Sequence, residues 1–171
     1  LLLVSARKGH ERAVLRDLLD ALFPYDSAVS GRLEKGLILV STSLSLEQLE
    51  KTLNTLPIRN ILSARYVLGF LENAQPEVLA GELSSILEHS GIKASRVKVK
   101  LSSRAGWSQE HYGPLQAALR EKGLLDPSGR RVALEEFGGR IAVTVALNLW
   151  YAGERARREK PRNSPPSQPP L

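Results

Sequence analysis

Arg96, Lys98 and Lys100 alternate with Val97, Val99 and Leu101, and Arg104 follows four residues later. Successive side chains of a β-strand point to opposite faces, so this spacing gathers three cations on one face and three aliphatic groups on the other. Guanidinium and ammonium groups held in such a row neutralise phosphates and release the counterions condensed on a nucleic acid. The same pattern also suits a solvated strand face paired off by nearby acids. A second basic set, Arg7, Lys8, His10, Arg12 and Arg16, falls at the start of an amphipathic segment. Free amides and the positive dipole end at a helix start hold phosphate, whereas Glu11 and Asp17 offer ordinary surface pairing. Trp107 and Tyr112 flank the turn after the basic strand. Aromatic faces there stack on unpaired bases, although a tryptophan beside a helix start also serves as core. Trp150 and Tyr151, closing an apolar strand, read as structural.

Reactive groups are scattered by comparison. His10, His89 and His111 show no metal-ligand spacing, and neither Ser84-Ser85 nor Ser102-Ser103 comes with a convincing base and orienting acid. Gly9 alone is no nucleotide-binding fingerprint. With no cysteine there is neither a disulfide framework nor a thiolate site. The expectation is therefore a protein with no catalytic residues, metal or cofactor. The chain has 171 residues, 42% of them hydrophobic, and a formal charge of +6, which suits a polyanionic partner. Half of that charge lies in residues 154–171, where Arg155, Arg157, Arg158, Lys160 and Arg162 outnumber Glu154 and Glu159. The body is only mildly basic, so arrangement must do what net charge does not. The opening Leu1-Leu2-Leu3-Val4 run is too short for a membrane span or signal peptide, and a cytoplasmic protein is expected. The absence of Cys and Met and the preference for Arg resemble a heat-adapted composition.

The elements that must position these residues follow from periodicity. Leu1 to Ser5 reads as a buried strand, and Val14, Leu15, Leu18, Leu19 and Leu22 as the stripe of a helix that Pro24 ends. Two strands, 28–33 and 37–41, flank Glu34-Lys35-Gly36. Ser45 and Gln48 form a capping-box signature for a helix with Leu46, Leu49, Leu53 and Leu56 inward. Ile61 to Leu71 supplies another strand. Pro76 starts a third helix and Gly91 stops it. The basic strand follows, then a helix capped by Ser108, the Asp126-Pro127-Ser128-Gly129 turn, and strands 131–137 and 141–150 joined at Gly138-Gly139. The predicted class is α+β, with a ferredoxin-like module over residues 1–72, a second α/β module over 73–153 and a flexible basic, proline-rich tail over 154–171.

This order resembles that of the THUMP-domain proteins, specifically the stand-alone family that assists tRNA cytidine acetylation. The resemblance is carried by the opening strand and basic turn at residues 2–12, by Arg96-Val97-Lys98-Val99-Lys100 with Arg104, Gly106 and Ser108, and by Leu124-Leu125-Asp126-Pro127 with the strand pair ending near Leu149. Asp126 stands where that family has asparagine. The resemblance implies a ferredoxin-like domain beside a THUMP domain, together gripping the acceptor end of tRNA. It implies a non-catalytic adaptor that presents tRNA to a separate modification enzyme such as a cytidine acetyltransferase. The RNA-binding residues so implied are Arg7, Lys8, Arg12, Arg96, Lys98, Lys100, Arg104 and Trp107. Two other functions fit the residues: a small acylphosphatase-like enzyme using the Arg7-Lys8-Gly9 turn, and a protein-interaction module using an open sheet face.

Overall fold

A computed structural model describes residues 1–72, 75–101 and 107–152, the side chains of Pro76 and Glu77 excepted. Arg104 and the tail from 154 onward lie outside the described residues. The described elements are β1 (Leu2–Ala6), α1 (Glu11–Leu22), β2 (Ser30–Glu34), β3 (Leu37–Ser41), α2 (Leu46–Thr55), β4 (Ile61–Leu71), α3 (Pro76–Ser90), β5 (Ala94–Lys100), α4 (Tyr112–Glu121), β6 (Arg130–Phe137) and β7 (Arg140–Ala146). This is a mixed α/β fold on a seven-stranded sheet of order β2-β3-β1-β4-β7-β6-β5. All neighbours are antiparallel except β5 and β6, which are parallel. A parallel pair needs a crossover, and α4 provides it. Among the described residues no helix is long and apolar enough to cross a membrane.

One alternation of every strand except edge strand β2 feeds a continuous core. Leu2 and Val4, Ile38 and Val40, Val132 and Leu134, and Val143 and Val145 pack with Leu18 of α1, Leu49 of α2, Leu83 of α3 and Leu119 of α4. All four helices therefore cover the same face of the sheet. The other alternation forms a small cluster, Leu3, Leu39, Val67 and Ala142, flanked by Leu1, Phe70 and Phe137, to which no described helix contributes.

Local chemistry accounts for the boundaries. Ser45 Oγ accepts from the Gln48 amide and Gln48 Oε1 accepts from the Ser45 amide at 2.9 Å, so two orphan donors of α2 are satisfied reciprocally. Ser45→Ala should cost about 1 kcal/mol, read as a lower urea midpoint with an unchanged slope. Gly138 and Gly139 both have positive φ, +58° and +78°, the backbone a tight two-residue hairpin requires.

Some boundaries differ from the periodic reading. The last strand ends at Ala146, because the chain from Leu147 to Trp150 turns off to bond α2. Leu56, expected inward, is 45% exposed, because it lies past the end of α2. Ser108 precedes a 3-10 turn, Gln109–His111, before α4 begins.

Candidate nucleic-acid interface

Pairing places Arg96 opposite Arg131, Lys98 opposite Ala133 and Lys100 opposite Glu135. Residues paired across a ladder share a face, and Val97, the neighbour of both Arg96 and Lys98, is buried in the helix-side core. The three cations therefore stand on the face without helices. The same face carries Arg65, opposite Leu3 and Ala146, and Arg140, opposite Phe137. Six basic side chains thus lie across β4, β7, β6 and β5, with Glu135 as their one acidic companion among the described residues of those strands.

Glu135 divides this set. Its side chain is 14% exposed and meets the Arg65 guanidinium, Lys100 Nζ at 3.7 Å and Thr144 Oγ1, which donates at 3.0 Å. Arg140 lies over the Phe70 ring with its guanidinium carbon 4.2 Å from the centroid, a cation–π contact. Arg96, Lys98 and Arg131 are exposed and have no ion-pair partner among the described residues. They are the cations of this face that the described residues leave unpaired. Lys100 is partly engaged, and Arg65 is structural.

Tyr112 and Trp107 support the edge of this sheet. The Tyr112 hydroxyl accepts from the Val99 amide at 3.1 Å and donates to the Val99 carbonyl at 3.0 Å, occupying the free edge of β5. Trp107 packs edge-on against Tyr112, centroids 5.7 Å apart, and against His111 at 5.4 Å. It is half-buried against the main core, and its Nε1 is enclosed without an acceptor among the described residues.

The other basic set lies at the opposite end of the sheet from Lys100. Arg7, Lys8 and Arg12 are all exposed, but they sit at the end of β1 and the start of α1. The Arg7 amide donates to the Asn60 carbonyl at 2.9 Å, and the Arg7 carbonyl accepts from His10, so this turn is closed by its own backbone. The predicted residues therefore fall in two sets, one on edge strand β5 and one at the end of β1, with three strands between them in the sheet. Arg131 and Arg140 join the first through pairing between strands distant in sequence, a relation periodicity does not carry. A signal for Arg131 existed in its alternation with the buried Val132.

Among the described residues no group of three His, Asp or Glu gathers as a metal site. Asp126, whose side chain accepts from the Ser128 hydroxyl at 2.7 Å and the Ser128 amide at 2.8 Å, shapes the turn before β6. These bonds, hydroxyl first and then amide, hold its carboxyl below its ordinary value, with Lys93 adding a small further lowering.

No protein-family model and no curated protein matches the chain. Solved structures do. The fold is similar to that of a "predicted N6-adenine-specific DNA methylase" from Listeria monocytogenes, with a TM-score of 0.59 at 14% identity over 85% of this chain and 39% of that one. A 4-thiouridine synthetase solved as an RNA complex with bound ATP matches at 0.54 and 14% identity, over 87% of this chain and 42% of the other. TrmN from Thermus thermophilus matches at 0.51 and 18%, over 86% and 45%. The chain thus spans about two fifths of the length of these proteins, and the likeness is one of fold.

Proposed function

We propose that this chain binds tRNA through the helix-free face of its sheet and presents it to a separate modification enzyme. The observation that carries the reading is the row Arg96, Lys98 and Arg131, three exposed cations without acidic partners among the described residues, on a face no described helix covers. Support for RNA over other polyanions comes from the similarity in fold to a synthetase crystallised with RNA. In this reading residues 1–72 form a ferredoxin-like module: the strand order β2-β3-β1-β4, all antiparallel, with α1 and α2 on one face, suits that architecture. Residues 73–153 form a THUMP domain, and the pair grips the acceptor end. Cytidine N4-acetylation is the modification the sequence resemblance favours, which makes a cytidine acetyltransferase the partner enzyme. The acylphosphatase-like alternative has less support, because the Arg7 amide that would cradle a phosphate is already bonded to Asn60.

The test is tRNA binding measured across a salt series. A dissociation constant that rises steeply and log-linearly with salt, with tRNA bound better than an unstructured RNA of equal length, supports the proposal. Equal affinity for both RNAs, or binding indifferent to salt, overturns it.

A further inference from the structure

We infer that the cleft beside Trp150 holds one unpaired RNA nucleotide, its base stacked on the indole and its phosphate on Arg7 and Arg59. The inference rests on the RNA-binding reading and adds a second site, away from the basic face. The cleft, about 400 Å³, lies where the end of β1, the 57–60 turn and the segment after β7 meet. That volume falls within the usual range of small-ligand pockets.

Trp150 is held in an unusual way for a tryptophan near a strand end. The Asn54 amide donates to the Asn148 carbonyl at 2.9 Å, and Asn54 Oδ1 accepts from the Trp150 backbone at 3.2 Å. The indole Nε1 donates to the Asn54 carbonyl, also at 3.2 Å. The ring is thus anchored by its polar edge, and Tyr151 meets it edge-to-face at 5.4 Å. Trp150 nevertheless remains 55% exposed, so core burial does not account for this anchoring. A positioned, solvent-facing indole is a stacking platform.

Arg7 and Arg59 line the same cleft. Both are exposed, and neither has an ion-pair partner among the described residues. Their supporting turns are fastened to each other: Asn60 adopts φ +68°, receives the Arg7 amide and places its Nδ2 3.3 Å from His10 Nδ1. The chemistry selects the ligand. Two arginines repel a cation that would otherwise sit on the indole, and a simple anion makes no use of the ring. An aromatic ring joined to a phosphate uses both, and in an RNA that is a nucleotide outside the duplex, because bases within a duplex have both faces covered by their stacked neighbours.

The experiment compares an RNA hairpin carrying a short unpaired extension with the same hairpin cut blunt. The native chain should bind the extended hairpin about tenfold more tightly. Trp150→Ala should abolish that preference while leaving blunt-hairpin affinity unchanged, and Trp150→Phe should retain most of it. In a Trp107→Phe background, fluorescence from Trp150 should be quenched by the extended hairpin alone. A preference that survives Trp150→Ala, or fluorescence quenched equally by both hairpins, overturns the site. Salt-dependent binding of both hairpins without any preference overturns the site and leaves the basic face standing; failure to bind either hairpin overturns both.

Discussion

Reversing Lys98 and Arg131 together to glutamate should weaken tRNA binding about a hundredfold near physiological salt and lower the slope of log K against log salt by about two. Each residue is exposed and without an ion-pair partner among the described residues, so each reversal removes a phosphate contact and adds a repulsion, together worth about tenfold. The two lie on adjacent strands of the helix-free face. Because neither side chain is buried, the thermal midpoint of the double variant should stay close to that of the native chain. Lys100→Glu should have the smaller effect, since Lys100 already lies 3.7 Å from Glu135. The control is the same charge change on the helix side, at Lys51 and Lys122, which should leave affinity nearly unchanged. Filter binding over a salt series reads all three variants, and equal losses from the two faces would show that only net charge matters.

Glu50→Ala should destabilise the fold by about 2–3 kcal/mol. Glu50 lies in α2, yet its carboxylate accepts both terminal nitrogens of the Arg130 guanidinium, one at 2.8 Å, and the Asn148 amide at 2.7 Å. One side chain thereby joins α2 to the start of β6 and to the segment after β7. Its removal strands a guanidinium whose side chain is only 28% exposed and leaves the Asn148 amide without its acceptor. Burial by itself would raise the Glu50 pKa. The Arg130 hydrogen bonds, the Asn148 amide and the Arg130 charge outweigh it and hold the carboxyl below its ordinary 4.5. A depressed folded-state pKa stabilises the fold above the unfolded value and loses that stabilisation as pH falls through the folded value. Urea unfolding should therefore show the native chain losing its advantage over Glu50→Gln below about pH 4.5, with the two curves converging on further acidification. Curves that stay parallel through that range would exclude Glu50 as the titrating group.

The order of elements was legible because each carried its own local signal. Alternation marked β5, three- and four-residue spacing marked α1, and Ser45 with Gln48 marked the start of α2. The joining of all seven strands into one sheet was not legible, because it depends on β4 meeting β7 across nearly seventy residues of intervening chain. The candidate interface divides in the same way. Arg96 and Lys98 could be placed on one face from spacing alone, whereas Arg131 and Arg140 join them only through the crossover and the final hairpin. Lys100 could not be distinguished from its neighbours, since Glu135 comes from another strand.

The two tryptophans show what local sequence leaves undecided, since Trp107 reads as a stacking ring or as core and Trp150, closing an apolar run, reads as structural. Trp107 is half-buried, packed against the Tyr112 that caps the edge of β5, while Trp150 stands 55% exposed over the Arg7 and Arg59 cleft. The apolar run ending in Trp150 gave no warning, because Asn54 diverts the chain after Leu147 through hydrogen bonds between residues about ninety positions apart.

The most direct measurement is ultraviolet crosslinking of the chain to tRNA, followed by mass spectrometry of the modified peptides. Crosslinks should concentrate in the peptides of β5 and β6 that carry Arg96, Lys98 and Arg131, and should disappear from them when Lys98 and Arg131 are reversed. Crosslinks confined to α3 and α4, on the helix-covered side, or unchanged in the reversed variant would contradict RNA binding by the helix-free face.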